Sequence, residues 1–229
     1  MRMKKIVFFL FFSYLFSFGF AQTVSNQAEK VEKKGSKVLI ETNYGNMVVL
    51  LYDATPQHRD NFLKLVKEHF YDDLLFHRVI NHFMIQGGDP KSKNAVKGQP
   101  LGHGNLGYLI PAEFVDTLIH KKGALAAARM GDNENPKKSS SACQFYIVQG
   151  RRFAPEMLSR MEQQSGRPMS ARQREVYTTI GGTPHLDGEY TVFGEVIDGL
   201  EVIDKIAAVE CDPMNRPVED VKMKISIIE

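Results

Sequence analysis

Apolar and polar positions alternate with a period of two in several short stretches of this chain, and helical spacing replaces that alternation in a few places. Lys37-Val38-Leu39-Ile40-Glu41-Thr42 and residues 47–52 read as two strands, with hairpin turn chemistry in Asn43-Tyr44-Gly45-Asn46. Thr55-Pro56 opens a helix, Thr as N-cap and proline at the first helical position, where no amide partner is needed. Phe62, Leu65, Val66 and Phe70 then fall on one face of it. Residues 123–130 (GALAAARM) form a small-residue strand that lets other backbones approach, and 132–141 a polar loop. In residues 143–149 (CQFYIVQ), alternation puts Cys143, Phe145 and Ile147 on one face, toward the core. It leaves Gln144, Tyr146 and Val148 on the other, free to line a site. Leu186-Asp187-Gly188 is a turn, residues 191–197 a strand, and 199–209 a helix with Leu200, Val202, Ile203 and Ile206 inward. Val221, Met223, Ile225 and Ile227 alternate with Lys222, Lys224, Ser226 and Ile228 in a last strand. Many short strands and two core helices argue for a mainly β chain, a closed antiparallel barrel with a helix over each end. Closure removes exposed strand edges.

Between 151 and 183 helical spacing returns without a strong apolar face. Residues 155–164 are helix-compatible, with Met157, Leu158 and Met161 as a thin stripe that Gly166 and Pro168 end. Ser170-Ala171-Arg172-Gln173 reads as a capping box opening a second helix, with Val176, Tyr177 and Ile180 toward the protein and Gly181-Gly182 ending it.

Composition changes this picture mainly at the N-terminus. At 229 residues, 43% hydrophobic and 24% charged, the chain has room for one well-cored domain or two small ones and no bias toward disorder. Residues 1–21 are different: Arg2, Lys4 and Lys5 precede an apolar run over 6–20, and Gly19-Phe20-Ala21 offers small residues for cleavage after Ala21. They read as a signal peptide, and the run is shorter than the ~18 residues of a spanning helix. Export is therefore expected, to the periplasm, with secretion or an uncleaved anchor as alternatives. Residues 22–36 are polar and read as a flexible lead-in to a domain over 37–229. The net charge of +2 becomes −1 once the basic leader is removed, which argues against nucleic acid as a partner. Two cysteines, Cys143 and Cys211, are too few for a Cys-rich zinc site, and the seven histidines show no HxxxH pair, so no metal and no cofactor are expected. The inward position of Cys143 favours a buried free thiol over a disulfide.

The candidate chemistry sits in residues 74–90, LLFHRVINHFMIQGGDP. One permanent charge, Arg78, stands in an apolar run beside Phe83, Met84 and Gln86. A greasy wall with two directed donors suits a neutral peptide group better than a phosphate or a metal. Gly102-His103-Gly104-Asn105-Leu106-Gly107 fits the GxGxxG dinucleotide fingerprint, but Pro111 discourages a following helix, and a glycine-rich surface loop is the better reading.

FHRVIxxFMIQGGD at 76–89 strongly resembles the signature of the cyclophilin-type peptidyl-prolyl cis/trans isomerases. Four further blocks follow in order: IPAEF at 110–114, GALAAAR at 123–129, QFYI at 144–147 and LDGEYTVFGEV at 186–196. The resemblance implies eight strands with two capping helices, here interrupted by a helical insertion at 151–183. It implies Arg78 as the catalytic arginine, Phe83, Met84, Tyr146 and Leu186 as the proline pocket, and Gln86 and Gln144 as holding the peptide. The backbone at Arg129 would bind the carbonyl before the proline, and Ala128 and Tyr190 complete the substrate-binding set. The chain departs from the best-known animal pattern with Arg129 for Asn, Tyr146 for Phe, His185 for Trp, Tyr190 for His and Cys143 for Ser. Partners implied are proline-containing peptides, unfolded or refolding proteins and cyclosporin-like cyclic peptides, bound by a monomer. Two other readings are a proline-segment-binding chaperone module with little turnover and a lipocalin-type ligand barrel. Intact Arg78 disfavours the first, and polar groups outside a filled barrel the second. The insertion reads either as an inert surface hairpin or as a rim of the pocket, bringing Arg160, Arg167, Arg172 and Arg174 to residues flanking the proline.

Overall fold

The hairpin of the first two strands, β1 (Lys37–Thr42) and β2 (Gly45–Leu51), pairs antiparallel with Thr42 opposite Gly45, so the turn is Asn43-Tyr44 alone and the expected turn residues Gly45 and Asn46 belong to β2. In the computed structural model, which describes residues 35–228, this hairpin lies inside one large sheet; the leader and most of the lead-in lie outside the described residues. The remaining strands are β3 (Leu74–Leu75), β4 (Arg78–Ile80), β5 (Met84–Gly87), β6 (Leu109–Ile110), β7 (Ala124–Ala127), β8 (Ser140–Ser141), β9 (Phe145–Val148), β10 (Val192–Asp198) and β11 (Lys222–Ile228). The sheet runs β3-β11-β1-β2-β10-β7-β9-β5-β4, and β6 and β8 form a separate pair.

The expected closed eight-stranded barrel is therefore corrected to a curled nine-stranded sheet. The apolar run that carries Arg78 breaks at Phe76-His77: residues 74–75 pair with β11 and residues 78–80 with β5, so the two parts are opposite ends of the ladder. Among the described residues, four α-helices accompany the sheet: α1 (Pro56–Lys67), α2 (Pro155–Ser165), α3 (Ala171–Thr179) and α4 (Leu200–Ala207). The expected pair of cappers is α1, against β10 and β11, and α4, against β2, β4 and β5; α2 and α3 are the insertion.

The strands' inward faces and both cappers meet in one core. It includes Val38, Ile40, Phe62, Ile85, Leu125, Phe145, Ile147, Ile203 and Ile225, and Phe62 stacks edge-on to Phe145 at 5.5 Å. Cys143, Phe145 and Ile147 all point into it, as alternation requires, and Cys143 is a free buried thiol. Leu200 departs from expectation: at the first position of α4 it is 40% exposed while Val202, Ile203 and Ile206 are buried.

The start of α1 is held differently from what its sequence suggests. Thr55 occupies the N-cap but makes no capping bond. The carboxylate of Glu113, from the IPAEF block, instead accepts from the Gln57 and His58 main-chain N–H groups at 3.1 and 3.0 Å and meets His58 Nδ1 at 2.6 Å. A carboxylate on unpaired amides at a helix N-terminus is favoured by hydrogen bonding and by the helix dipole. Burial works against the Glu113 charge, but these bonds outweigh it and hold its pKa below the ordinary value.

Candidate active site

The same alternation that fills the core builds a second, outward platform. Register places Arg78 opposite Gln86, Gln86 opposite Tyr146, and Tyr146 opposite Ala126. Met84 and Val148 pair one step along. Met84, Ala124, Ala126, Tyr146, Val148 and Val192 form a buried apolar patch here, with Phe83, Ala128, Leu186 and Tyr190 packed on it. The sequence-predicted pocket residues Phe83, Met84, Tyr146, Leu186 and Tyr190 are thus brought together.

Arg78 stands half-buried at one end of this platform. Its guanidinium donates to Gln86 Oε1 at 3.2 Å, and Gln86 Nε2 donates to Gln144 Oε1 at 3.2 Å. Gln144 Nε2 donates in turn to the Gly102 and Gly104 carbonyls at 3.0 and 2.7 Å. Both glutamine side chains are engaged with the protein in a relay that fixes the direction of Arg78. Burial pulls the Arg78 pKa below its ordinary value, with Tyr190 acting the other way; a guanidinium stays charged regardless.

The glycine-rich loop that mimics a dinucleotide fingerprint is the backing of this relay. The buried Asp89 carboxylate accepts from the Gly102 and Gly104 amides and, at 2.7 Å, from Lys91 N. A Cβ on Gly104 would lie 1.9 Å from Asp89 Oδ1, so only glycine passes there. The loop is more than a surface feature: its inner side carries Gln144.

At the platform's edge, the Arg129 guanidinium lies 4.5 Å from the Tyr190 ring centroid and donates to the Glu189 carbonyl at 2.8 Å. Glu189 also pairs with Lys138 and Arg167. Both Ala128 main-chain groups are spent, its N–H on Gln144 O and its C=O on Ser141 N, while no main-chain to main-chain bond among the described residues uses Arg129.

The sequence reading missed what lies behind Tyr146. Its hydroxyl is 3.0 Å from Nε2 of the fully buried His120, whose Nδ1 is 2.9 Å from Asp187 Oδ1. The other Asp187 oxygen accepts from the Tyr177 hydroxyl at 2.6 Å and Gln173 Nε2 at 3.2 Å, both on α3. The insertion thus reaches the pocket floor through two side chains. A signal existed: a buried tyrosine in place of phenylalanine needs a polar partner. His185 also joins the site, stacked 5.8 Å from the Phe83 ring.

The insertion's helices form where expected. Ser170 and Gln173 make both bonds of the capping box, and Gly166 ends α2 in the left-handed conformation at φ 66°. Leu158 and Tyr177 are fully buried against Ile119, whereas Ile180 is 48% exposed. Of the four arginines expected to reach substrate, Arg174 is paired to Glu162 and Arg167 to Glu189; Arg160 and Arg172 are exposed.

The family model described as cyclophilin type peptidyl-prolyl cis-trans isomerase/CLD matches residues 37–226. A Staphylococcus aureus (strain USA300) protein named as a peptidyl-prolyl cis-trans isomerase is 35% identical over 202 residues, 88% of this chain and 95% of that protein. A Streptococcus pyogenes protein named as a bifunctional phosphatase/peptidyl-prolyl cis-trans isomerase is 41% identical over 192 residues; the match spans 82% of this chain but only 37% of that protein. The crystal structure of a Cryptosporidium parvum cyclophilin type peptidyl-prolyl cis-trans isomerase matches with a TM-score of 0.62 at 26% identity, covering 86% of this chain and 99% of that one. The same protein in the presence of the dipeptide Ala-Pro matches at 0.60 and 26%, covering 84% and 99%. With the signature blocks folded onto one sheet face and the family model spanning the described domain, the chain belongs to the cyclophilin family and is a peptidyl-prolyl cis-trans isomerase of that type.

Proposed function

We propose that Arg78 is the catalytic residue and that it acts on X–Pro bonds of exported proteins as they refold. Amide conjugation sets a barrier of roughly 18–20 kcal/mol to rotation about the bond. In the twisted state the proline nitrogen regains a lone pair, which the planar ground state lacks. A donor aimed at that nitrogen therefore binds the transition state more tightly than the substrate, which is what raises a rate. The observation that carries this reading is the guanidinium fixed by Gln86 at the end of an apolar platform made by Met84, Tyr146 and Val148.

Phe83, Met84, Tyr146 and Leu186 hold the proline ring on this reading, and Gln86 and Gln144 position Arg78. The main chain at Arg129 holds the carbonyl before the proline, with Ala128 and Tyr190 lining that end. A charged hydrogen bond contributes roughly 1.5–3 kcal/mol. A hundred-thousandfold acceleration would need about 7 kcal/mol, so the pocket supplies the rest by anchoring one side of the bond while the other rotates. The charged start and apolar run of residues 1–21 support export, with the periplasm as the compartment.

The test is exchange of an X–Pro peptide followed by NMR. Arg78→Ala should lower kcat/KM by roughly 10- to 150-fold, the loss of one charged hydrogen bond, with far-UV circular dichroism unchanged. Arg78→Lys should also be poor, because an ammonium lacks the planar fork. Full activity in both variants overturns the assignment.

A further inference from the structure

The insertion encloses a cleft of about 520 Å³ against the Phe83 end of the platform. Its apolar lining comes from Phe83 on one side and Phe153, Met157 and Met161 on the other, and Met157 is 42% exposed. Two arginines, Arg151 and Arg160, line it, and no aspartate or glutamate does. Arg151 lies over the Phe153 ring at 5.2 Å, and both arginines are exposed. Arg167 and Arg174 of the insertion are paired with Glu189 and Glu162 away from the cleft lining, whereas no ion pair among the described residues engages Arg151 or Arg160.

The cleft adjoins the proline platform, because Phe83 packs on the platform and also lines the cleft, where His185 stacks on it. Sheet register sets the direction. Gln86 and Gln144 lie at the Arg78 end, next to Ala128 and Arg129, while Phe83 lies at the opposite end, where its carbonyl accepts from Gln149 N and Gly150 N. A chain held at Arg129 by the carbonyl before its proline therefore leaves the platform over Phe83, into the cleft.

We propose that this cleft is an added subsite for the residues following the proline, selecting a segment that carries an apolar side chain and a carboxylate. This rests on the reading that the Arg78 face turns over X–Pro bonds. The apolar lining takes the side chain, and Arg151 and Arg160 meet the carboxylate with their planar forks. The selection belongs to the insertion, since every lining arginine is supplied by it.

The test uses the mature protein and three peptides with one X–Pro bond, followed by Leu-Glu, Leu-Lys or Gly-Gly. Exchange is measured by NMR without a coupling protease. Turnover of the Gly-Gly peptide tests the underlying isomerase reading alone. The ratio of kcat/KM for the Glu peptide over the Lys peptide tests the subsite. We expect a ratio of roughly 5 or more at low ionic strength, falling toward 1 in molar salt. In Arg151→Glu/Arg160→Glu the ratio should invert, and a ratio taken on one preparation is insensitive to loss of folded protein. Turnover of Gly-Gly with a wild-type ratio of 1, or an unchanged ratio in the double variant, overturns the proposal while leaving the isomerase reading intact.

Discussion

Replacing Asp187 by asparagine tests whether the insertion sets the pocket floor from behind. Ionised, Asp187 only accepts, so the proton on the facing His120 nitrogen must be Nδ1–H. In the neutral imidazole Nε2 is then the acceptor, and the Tyr146 hydroxyl donates to it across 3.0 Å. The chain has one polarity from Tyr146 through His120 to Asp187, and Tyr177 and Gln173 donate to the same carboxylate from the far side. Asparagine keeps the shape but turns one acceptor oxygen into a donor, which must face either the two His120 N–H groups or the Tyr177 and Gln173 donors. Two hydrogen bonds to a charged group are lost, each worth roughly 1.5–3 kcal/mol net. Some rearrangement offsets this, and we expect a stability loss of about 2–4 kcal/mol, tolerable for a domain of ordinary stability, ~5–15 kcal/mol.

Urea unfolding followed by far-UV circular dichroism reads the stability, and peptide exchange reads the pocket. With His120 unlocked, the Tyr146 ring loses its tether and keeps only packing, including its edge-on contact with Tyr190 at 5.9 Å. A several-fold fall in kcat/KM is expected. In a Tyr146→Phe background the tether is already cut, so adding Asp187→Asn should cost stability but little further activity. An equal fall in kcat/KM in both backgrounds, or a stability change below about 0.5 kcal/mol, refutes the relay.

Two further outcomes follow from buried titratable groups. Burial pushes His77 down to about 4, with Asp89 and the Leu75 backbone acting upward and Arg78 and Arg216 downward. The unfolded chain therefore takes up this proton first, at its ordinary ~6.5, so stability is full above that pH, falls as pH drops toward 4, and is flat below; His77→Leu should remove up to about 3 kcal/mol of this acid sensitivity in urea midpoints at pH 7 and 4.5, and an unchanged slope would contradict it. Burial likewise raises the Cys143 thiol to about 11, so thiol labelling should be slow in native protein and fast after unfolding, and a Cys143–Cys211 bridge in a non-reduced mass map would refute the free thiol.

What could be read from the sequence was what depends on local period. Alternation alone sorted Cys143, Phe145 and Ile147 from Tyr146 and Val148, which the structure puts into two separate apolar clusters. The capping box of α3 was legible because both partners lie within three residues. The Glu113 cap of α1 was not, because 55 residues separate it from His58. His120 was invisible for the same reason, with partners 26 and 67 residues away in Tyr146 and Asp187. The count of eight strands rested on the family resemblance, since the apolar pattern fixes no number: the break at Phe76-His77 redirects hydrogen bonds without disturbing that pattern. Arg78 was legible, but the relay of Gln86 and Gln144 that holds it was not, because it joins side chains 8 and 58 residues apart, and it leaves one Gln86 N–H for a peptide.

The insertion and the glycine-rich loop solve one physical problem from opposite ends of the pocket. A site that works by stabilising a transient geometry needs its donor and its floor immobile, since freedom at either forfeits binding specific to the transition state. At the Arg78 end, immobility comes from main chain: Asp89 pins the Gly102 and Gly104 amides, and the carbonyls of those glycines hold Gln144. At the Tyr146 end it comes from side chains: Tyr177 and Gln173 pin Asp187, which holds His120. The first anchor requires glycine, because a Cβ at 104 would collide with Asp89. The second requires the insertion to be folded, because Tyr177 is buried in a cluster with Leu158 and Ile119 that the insertion's helices complete. Replacing residues 151–183 by a short linker therefore does more than strip a surface hairpin. It exposes Ile119 and leaves His120 and Asp187 without their outer donors. Activity on a tetrapeptide should fall along with activity on a refolding protein, and a stably folded deletion with an unchanged tetrapeptide rate would show that the floor holds without its anchor.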